Sequence, residues 1–162
     1  MISETLRNPT ALFDVKDKVA IITGASGTFG RATALTLTSL GGKVLLMSSV
    51  RGRHGNYSGY TGYCASKGAT DSLTRVLATE WAKHGITVNA IAPTVFRSKL
   101  TAWMYGDNEL GQQTRARSLS RIPLGRLGEV EDLMGMTVYL LSPASDFCTG
   151  QIMYVDGGYT AG

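Results

Sequence analysis

Tyr63 and Lys67 are the two residues of this chain whose types and spacing best fit acid–base chemistry. They stand four residues apart at the start of a pattern that predicts a helix over residues 61–84. Residues with this spacing lie one turn apart on one helix face, so the lysine ammonium can stabilise a phenolate. Such a phenol gives or takes a proton while a hydride moves at a neighbouring carbon. Taken alone, the pair more often means a packed tyrosine and a solvated lysine.

A glycine-rich turn provides a second candidate site. The apolar run from Lys18 to Thr23 predicts a strand buried on both faces of a parallel sheet. The residues from Arg31 to Leu40 predict a helix, and residues 24–30 form the turn between strand and helix. Free backbone N–H groups and the helix dipole at such a turn favour a phosphate group. The glycine spacing differs from the common G-x-G-x-x-G fingerprint, and many glycine-rich turns only connect elements.

The rest of the chain alternates between strand and helix patterns. Strands are predicted from Lys43 to Val50, over 86–92 and over 151–155, with helices over 107–119 and 129–141. In the helix that carries the tyrosine–lysine pair, Leu73, Val76, Leu77 and Trp81 are expected to form the apolar stripe that packs on the sheet. This alternation predicts an α/β fold with a parallel sheet. We expect a polar N-terminal arm over residues 1–17 and a single domain over residues 18–162.

Composition and charge exclude several classes of function. Of 162 residues, 43% are hydrophobic and 17% are charged, as in an ordinary globular domain. The net charge of +4 is mild, and the arginines are scattered without interleaved aromatics, so we expect no nucleic-acid partner. The sequence has no signal pattern, and none of its apolar runs approaches the roughly 18 residues of a membrane span, so we expect no membrane association. Cys64 and Cys148 are too few for a disulfide framework or a zinc site, which favours a reduced, cytoplasmic compartment and predicts no metal.

Four motifs occur in one order along the chain, and together they resemble the short-chain dehydrogenase/reductase family. They are Thr23-Gly24 with Gly30, Ser48-Ser49, Tyr63-x-x-x-Lys67, and Asn89-x-x-x-Pro93, followed by Asp156-Gly157-Gly158. The similarity extends from Lys18 to Gly158. The resemblance implies a Rossmann-like, doubly wound parallel sheet and NAD or NADP as cofactor. It also implies a small-molecule alcohol or ketone substrate and a homo-oligomer, either a dimer or a tetramer.

The resemblance also implies a role for each matching residue. Tyr63 is the expected catalytic acid/base, Lys67 assists it and holds the nicotinamide ribose, and Ser49 hydrogen-bonds the substrate oxygen, with Ser48 as the alternative. The expected cofactor-binding residues are Gly24, Ser26, Thr28, Phe29, Gly30, Tyr63, Lys67, Pro93 and Ser98. Thr28 stands where the family turn usually has glycine or alanine, and Thr94 follows Pro93 where glycine is usual.

The largest departure from the family pattern lies between Leu46 and Met47, where an internal segment is absent. Three strand–helix units of about 30 residues each amount to about 90 residues. In the family, this segment contains the residue that selects NAD or NADP, the adenine pocket and the asparagine that completes the catalytic tetrad. The resemblance therefore implies that this chain lacks them. We therefore expect an incomplete sheet. Either the printed sequence lacks a segment of a longer enzyme or the polypeptide is genuinely shortened.

A shortened chain would make Lys43–Val50 a hybrid strand, placed either beside the outer edge of the first strand or on the catalytic side of the sheet. Two hypotheses for function follow. In the first, the chain is an NAD(P)-dependent oxidoreductase that interconverts a secondary alcohol and a ketone. In the second, it is catalytically silent and acts as a binding or assembly partner.

Overall fold

The computed structural model describes Phe13 and residues 20–23, 42–56 and 59–162. Its centre is a parallel sheet of four strands in the spatial order β1-β2-β3-β4. The strands are β1 (Ala20–Thr23), β2 (Lys43–Met47), β3 (Thr87–Pro93) and β4 (Ile152–Val155). The predicted glycine turn (residues 24–30), the helix predicted from Arg31 to Leu40, and the N-terminal arm apart from Phe13 lie outside the described residues.

Strand β2 lies inside this sheet. Leu46 pairs with Thr23 of β1, and Met47 pairs with Ile91 of β3. Leu46 and Met47, between which the family segment is absent, therefore lie in one continuous strand. Of the two placements considered for this strand, the structure has the one on the catalytic side of the sheet, not the one beside the outer edge of β1. Any side chain that follows Met47 consequently emerges at the carboxyl edge of the sheet, where ligands of open α/β sheets bind.

Alternate residues of β2 pack on opposite faces of the sheet, as strand geometry requires. Val44 and Leu46 belong to a core cluster with residues of helix α1 (Thr61–Trp81), whereas Leu45 packs in a second cluster with Leu140. Leu140 belongs to helix α3 (Glu131–Leu141). Helices therefore cover both faces, and the expected doubly wound, Rossmann-like α/β fold is confirmed, with an incomplete sheet.

Helix α1 begins at Thr61 as predicted, and its last predicted residues form a 3-10 turn over Ala82–His84. Gly85, at φ +70°, ends the helix in the left-handed conformation that glycine adopts without strain. The predicted apolar stripe is partly wrong, because Leu73 and Val76 are 47% and 48% exposed.

The buried face of α1 instead carries Lys67, Asp71, Thr74 and Ala78. Thr74 and Ala78 are small, so the helix backbone approaches β3 closely at that face. The leucine and valine are turned away from the sheet, while Leu77 remains partly buried against the core. Rotation of the helix onto this face is what brings the lysine beneath the surface.

The segment between β3 and β4 is largely helical. A 3-10 helix spans Lys99–Tyr105, and α2 spans Glu109–Leu119, close to the predicted 107–119. Asn108 caps α2 by accepting a hydrogen bond from the backbone N–H of Gly111 at 2.6 Å. None of the helices in the described part of the chain has both the length and the apolar character needed to cross a bilayer.

Candidate active site

The carboxyl end of β2 is the point at which the polar side chains gather. Ser48 and Ser49 follow the strand directly, and a short 3-10 helix, Val50–Gly52, turns the chain away from the sheet. The first turns of α1 then pass over this end, with Tyr63 and Lys67 in them. Two stretches separated in sequence thus meet at the carboxyl edge of a parallel sheet, where sites of this fold class form.

Lys67 is buried, with 6% of its surface exposed. Its Nζ donates a hydrogen bond of 2.9 Å to the backbone carbonyl of Met47, the last residue of β2. Burial lowers the pKa of the Lys67 ammonium because it penalises the charged form, and the negative charge of Asp71 offsets part of this effect. The lysine therefore lies at the junction of helix and strand, and its cost of burial is only partly compensated.

Tyr63 lies one helical turn before Lys67. Its ring centroid is 5.5 Å from the lysine Nζ, and 46% of its surface is exposed. Tyr60 packs against it edge-on, with ring centroids 6.2 Å apart and an interplanar angle of 81°. The tyrosine is thus held between a cation below and an aromatic ring beside it, while its exposed side remains open to a ligand.

Ser49 is buried and bridges two elements of the site. Its Oγ accepts a hydrogen bond from the backbone N–H of Arg51 at 3.2 Å and so caps the 3-10 helix. The same hydroxyl donates to the carbonyl of Pro93 at 3.4 Å, a long contact with the end of β3. These contacts position the Ser49 hydroxyl between the ends of two neighbouring strands.

Ser48 takes a different direction and donates a buried hydrogen bond to the carboxylate of Asp71. Gly52 packs against the same carboxylate so closely that a Cβ at this position would collide with it. Asp71 is 6% exposed, so this bond satisfies a buried charge that would otherwise be costly. Two buried ionisable residues, Lys67 and Asp71, therefore lie beneath the site, one turn apart on the same face of α1.

The predicted cofactor-binding residues after β3 are also described. Pro93 is the final residue of β3, and Ser98 is exposed at the start of the 3-10 helix Lys99–Tyr105. The backbone N–H of Ser98 donates to the hydroxyl of Thr101 at 2.9 Å, which ties the start of that helix together. Gly24, Ser26, Thr28, Phe29 and Gly30 lie outside the described residues, so their assignment stays a prediction.

A cavity of about 160 Å³ opens beyond the carboxyl ends of β3 and β4. Its walls include Thr94, Phe96, Ile122 and Val155, so it is mainly apolar, with the polar ends of the strands at one side. Concave, mostly apolar spaces of this kind are the usual places for small ligands. In the described part of the chain, no three histidine, cysteine, aspartate or glutamate side chains are grouped as metal ligands would be.

Sequence reasoning missed Asp71 as a member of the site. The signal was present, because an acid four residues after Lys67 must lie on the same face of the helix. Its burial depends on the rotation of α1 toward β2, which the apolar pattern misassigned. Sequence reasoning also missed that Arg51 and Arg121 both contact the Tyr159 ring, because residues so far apart in the chain show no pattern that brings them together.

A family model described as enoyl-(acyl carrier protein) reductase matches residues 17–160, which is nearly the whole chain. The chain belongs to the short-chain dehydrogenase/reductase family. An uncharacterized oxidoreductase of Mycobacterium tuberculosis is 60% identical over 121 residues, covering 75% of this chain and 45% of that protein. The chain thus spans about half the length of the curated relatives it matches, in agreement with the absent internal segment between Leu46 and Met47.

Two solved structures resemble the fold closely. A short-chain type dehydrogenase/reductase from Mycobacterium marinum is 36% identical, with a TM-score of 0.72, and the match covers 82% of this chain and 50% of that one. A gluconate 5-dehydrogenase from Burkholderia cenocepacia, in complex with NADP and tartrate, is 33% identical with a TM-score of 0.73 and the same coverage of the two chains. The sheet and its helices are therefore those of the family, over about half of its usual length.

Proposed function

We propose that this short-chain dehydrogenase/reductase is an NAD(P)-dependent oxidoreductase that interconverts a secondary alcohol and a ketone. The observation that carries the proposal is the buried Lys67, whose Nζ lies 5.5 Å from the ring of the half-exposed Tyr63 at the carboxyl edge of the sheet. A buried lysine with a lowered pKa beside a phenol is a typical marker of a functional site. The NADP in a related structure supports the cofactor.

The donor groups present fit a nicotinamide cofactor. Lys67 uses a hydrogen bond to the Met47 carbonyl, and an ammonium has further N–H donors for ribose hydroxyls. Ser98, exposed beyond β3, would contact the cofactor amide, and the turn Gly24–Gly30 would hold the phosphates. When bound, the reduced cofactor supplies a hydride, with its two electrons, to the carbonyl carbon.

In the direction of reduction, Tyr63 gives its phenolic proton to the substrate oxygen, so ketone, hydride and proton together yield the alcohol. Ser49 turns its one O–H away from the long contact with the Pro93 carbonyl, donates it to the same substrate oxygen and so orients the carbonyl. Lys67 stabilises the phenolate left behind, and bulk solvent then returns the proton to Tyr63. Oxidation of the alcohol uses the same groups in reverse, with Tyr63 as the base.

The test is cofactor turnover by the purified chain with a panel of ketones, polyols and hydroxy acids. We expect NADH or NADPH to be oxidised in a 1:1 ratio with ketone reduced, followed by absorbance and by product analysis. Gluconate belongs in the panel because a structural relative is a gluconate 5-dehydrogenase. The absence of turnover with every substrate, despite saturable cofactor binding, would contradict the proposed activity.

A second candidate function is that of a catalytically silent binding or assembly partner. The half-length match to relatives favours it, because the chain contains no motif that matches the family's adenine-pocket residues or the asparagine of its catalytic tetrad. A fluorescence titration with NADH and NADPH separates the two candidates. Saturable binding supports the enzyme, and no binding at millimolar cofactor supports the silent partner.

The active form is a homo-oligomer in the cytoplasm. Leu73 and Val76 form an exposed apolar pair on α1, and a second copy of the chain would cover it. Cys64 and Cys148 are both free thiols, which suits a reduced compartment. Light scattering of the purified protein tests the assembly, and a mass equal to one chain at micromolar concentration would contradict it.

A further inference from the structure

Two arginines, Arg51 and Arg121, pack against the ring of Tyr159 near the candidate site. The guanidinium carbon of Arg121 lies 4.3 Å from the centroid of the Tyr159 ring, and that of Arg51 lies 5.5 Å from it. His54 packs edge-on against the same ring, with centroids 6.3 Å apart. Two cations are therefore held against one aromatic side chain, which is itself 6% exposed.

The fold fixes both arginines through their apolar neighbours. Val50 and Ile122 pack with Tyr159 in one buried cluster, and Arg51 and Arg121 are the residues next to them in sequence. A turn held by the Asp156 carboxylate, which accepts bonds from two backbone N–H groups and one hydroxyl, places the tyrosine itself. The cluster is thus a consequence of core packing rather than of chance contact between long side chains.

Neither guanidinium has an ion-pair partner among the described residues. The ion pairs there form between other residues, and no carboxylate lies within ion-pair distance of Arg51 or Arg121. Within the part of the chain that the structure describes, Arg51 donates one side-chain hydrogen bond, to the carbonyl of Gly55 at 2.6 Å, so other N–H donors of its five can serve a ligand. Both groups are positively charged and lie against one ring, so an anion bound by them would reduce the repulsion between like charges.

A second pair of arginines in the same molecule shows the contrast. Arg97 and Arg115 lie 4.5 Å and 5.6 Å from the ring centroid of Tyr105. There, however, Arg97 is paired with Glu129 at 3.4 Å. Arginines that pack on a tyrosine therefore do not by themselves indicate a ligand. What distinguishes the Tyr159 pair is that neither of its arginines has an ion-pair partner among residues 20–23, 42–56 and 59–162.

The cluster is continuous with the candidate active site. The backbone N–H of Arg51 donates to Ser49 Oγ at 3.2 Å, and the Arg51 guanidinium also lies 5.7 Å from the ring of Tyr60. Tyr60 in turn packs against Tyr63. On the other side, Ile122, next to Arg121, lines the cavity beyond β3 and β4. Arg51 is therefore linked to Ser49 directly and to Tyr63 through Tyr60, and Arg121 adjoins a residue of the cavity wall.

From this geometry we propose that Arg51 and Arg121 bind the carboxylate of the substrate, so that the enzyme acts on small hydroxy acids or keto acids. The inference rests on the proposed function for the identity of the reacting group, but the anion site is defined by the arginines alone. Guanidinium groups pair with planar carboxylates through two parallel hydrogen bonds, and this fixes the orientation of the acid. The hydroxyl at the far end of such a substrate would then face Ser49 and Tyr63.

The test compares tartrate with threitol. Both have a four-carbon chain with hydroxyls on the two central carbons, but tartrate has two terminal carboxylates where threitol has two hydroxymethyl groups. Binding to the purified chain is measured by calorimetry at low and high salt, without turnover. We expect tartrate to bind more tightly than threitol and to weaken as salt increases. Arg121→Gln and Arg51→Gln should each weaken tartrate binding about 10- to 100-fold and leave threitol unchanged.

Three controls make the result decisive. Arg115→Gln removes the same charge from the other tyrosine and should leave the affinity for tartrate unchanged. Arg121→Lys keeps the positive charge but lacks the two parallel N–H donors of a guanidinium. Its affinity for tartrate should therefore lie between that of Arg121→Gln and that of the parent. Thermal unfolding checks that each variant is folded, and because Arg121 is exposed, its substitution should leave the melting temperature unchanged.

The outcomes separate the two proposals. Equal tartrate affinity in the parent and both glutamine variants would overturn the anion site, as would an equal loss in Arg115→Gln. A loss of NADPH affinity equal to that of tartrate would also overturn it, because the arginines would then serve the phosphates of the cofactor. If tartrate binding depends on the arginines but no substrate is turned over, the anion site stands and the proposed activity fails.

Discussion

The two ends of strand β2 each hold a lysine, and the two lysines are held in opposite ways. At the amino end, Lys43 forms an ion pair with Asp146 at 2.8 Å and donates to the Ser145 hydroxyl at 3.1 Å. At the carboxyl end, Lys67 donates to a backbone carbonyl, and no carboxylate within the described residues lies within ion-pair distance of its ammonium. One lysine has a full counter-charge, and the other does not.

The two ends of one strand thus differ in how a lysine is stabilised, and the candidate active site lies at the end where the lysine lacks a full counter-charge. An ion pair with Asp146, whose side chain is 71% exposed, ties the chain after α3 to the sheet at little cost. A buried ammonium with a lowered pKa contributes little to stability but can influence a neighbouring phenol. If the proposed function holds, the carboxyl end serves chemistry and the amino end serves stability, and substitutions at each end should have different effects.

The largest effect on stability is expected from Ser48→Ala at the carboxyl end. It removes the hydroxyl that donates to the buried Asp71 carboxylate and should lower the free energy of unfolding by about 1–3 kcal/mol. Urea denaturation measures this loss. Ser66→Ala, which removes an exposed hydroxyl from the same helix, is the control and should change the free energy of unfolding by less than about 0.5 kcal/mol. A parent-like urea midpoint for Ser48→Ala would show that the Asp71 carboxylate does not depend on this bond.

A smaller effect should appear in the pH dependence of stability. Burial lowers the pKa of Lys67 in the folded chain, whereas in the unfolded chain it titrates near its ordinary value of about 10.4. Between these two pKa values the unfolded state binds more protons, so the contribution of Lys67 to stability rises with pH across that window. It is least favourable below the folded-state pKa.

Lys67→Met lacks this dependence. The difference in free energy of unfolding, parent minus variant, should therefore increase from neutral pH toward pH 10.5. Lys83→Met, an exposed substitution at the end of the same helix, should show no such trend. A difference that is flat or decreases with pH would mean that the pKa of Lys67 is not lowered in the folded protein.

The smallest effect is expected at the amino end. Lys43→Met removes an ion pair with a largely exposed partner and should cost about 0.2–1 kcal/mol, with less difference from the parent at high salt. Catalytic activity should be unchanged, because the substitution is at the opposite end of the strand from Tyr63. A large loss of kcat/KM in this variant would contradict the separation of the two ends.

The sequence predicted the helix that carries Tyr63 and Lys67 better than it predicted how that helix packs. Tyr63 and Lys67 share a helix face because helical geometry sets that relation, and the strands were readable from short apolar runs. The burial of Lys67 was not readable, since it depends on Thr74 and Ala78, rather than Leu73 and Val76, facing the sheet. The Arg51–Tyr159–Arg121 cluster joins residues far apart in the chain, and no local pattern specifies it.

The most direct test of the whole account is the kcat/KM of Tyr63→Phe, measured beside the parent chain and Tyr60→Phe with the best substrate of the panel. The substitution removes one hydroxyl from a half-exposed ring, so the free energy of unfolding should remain that of the parent. We predict a fall in kcat/KM of about 10²- to 10⁴-fold for Tyr63→Phe and little change for Tyr60→Phe. Equal kcat/KM in the parent and Tyr63→Phe would contradict the assignment of proton transfer to the carboxyl end of β2.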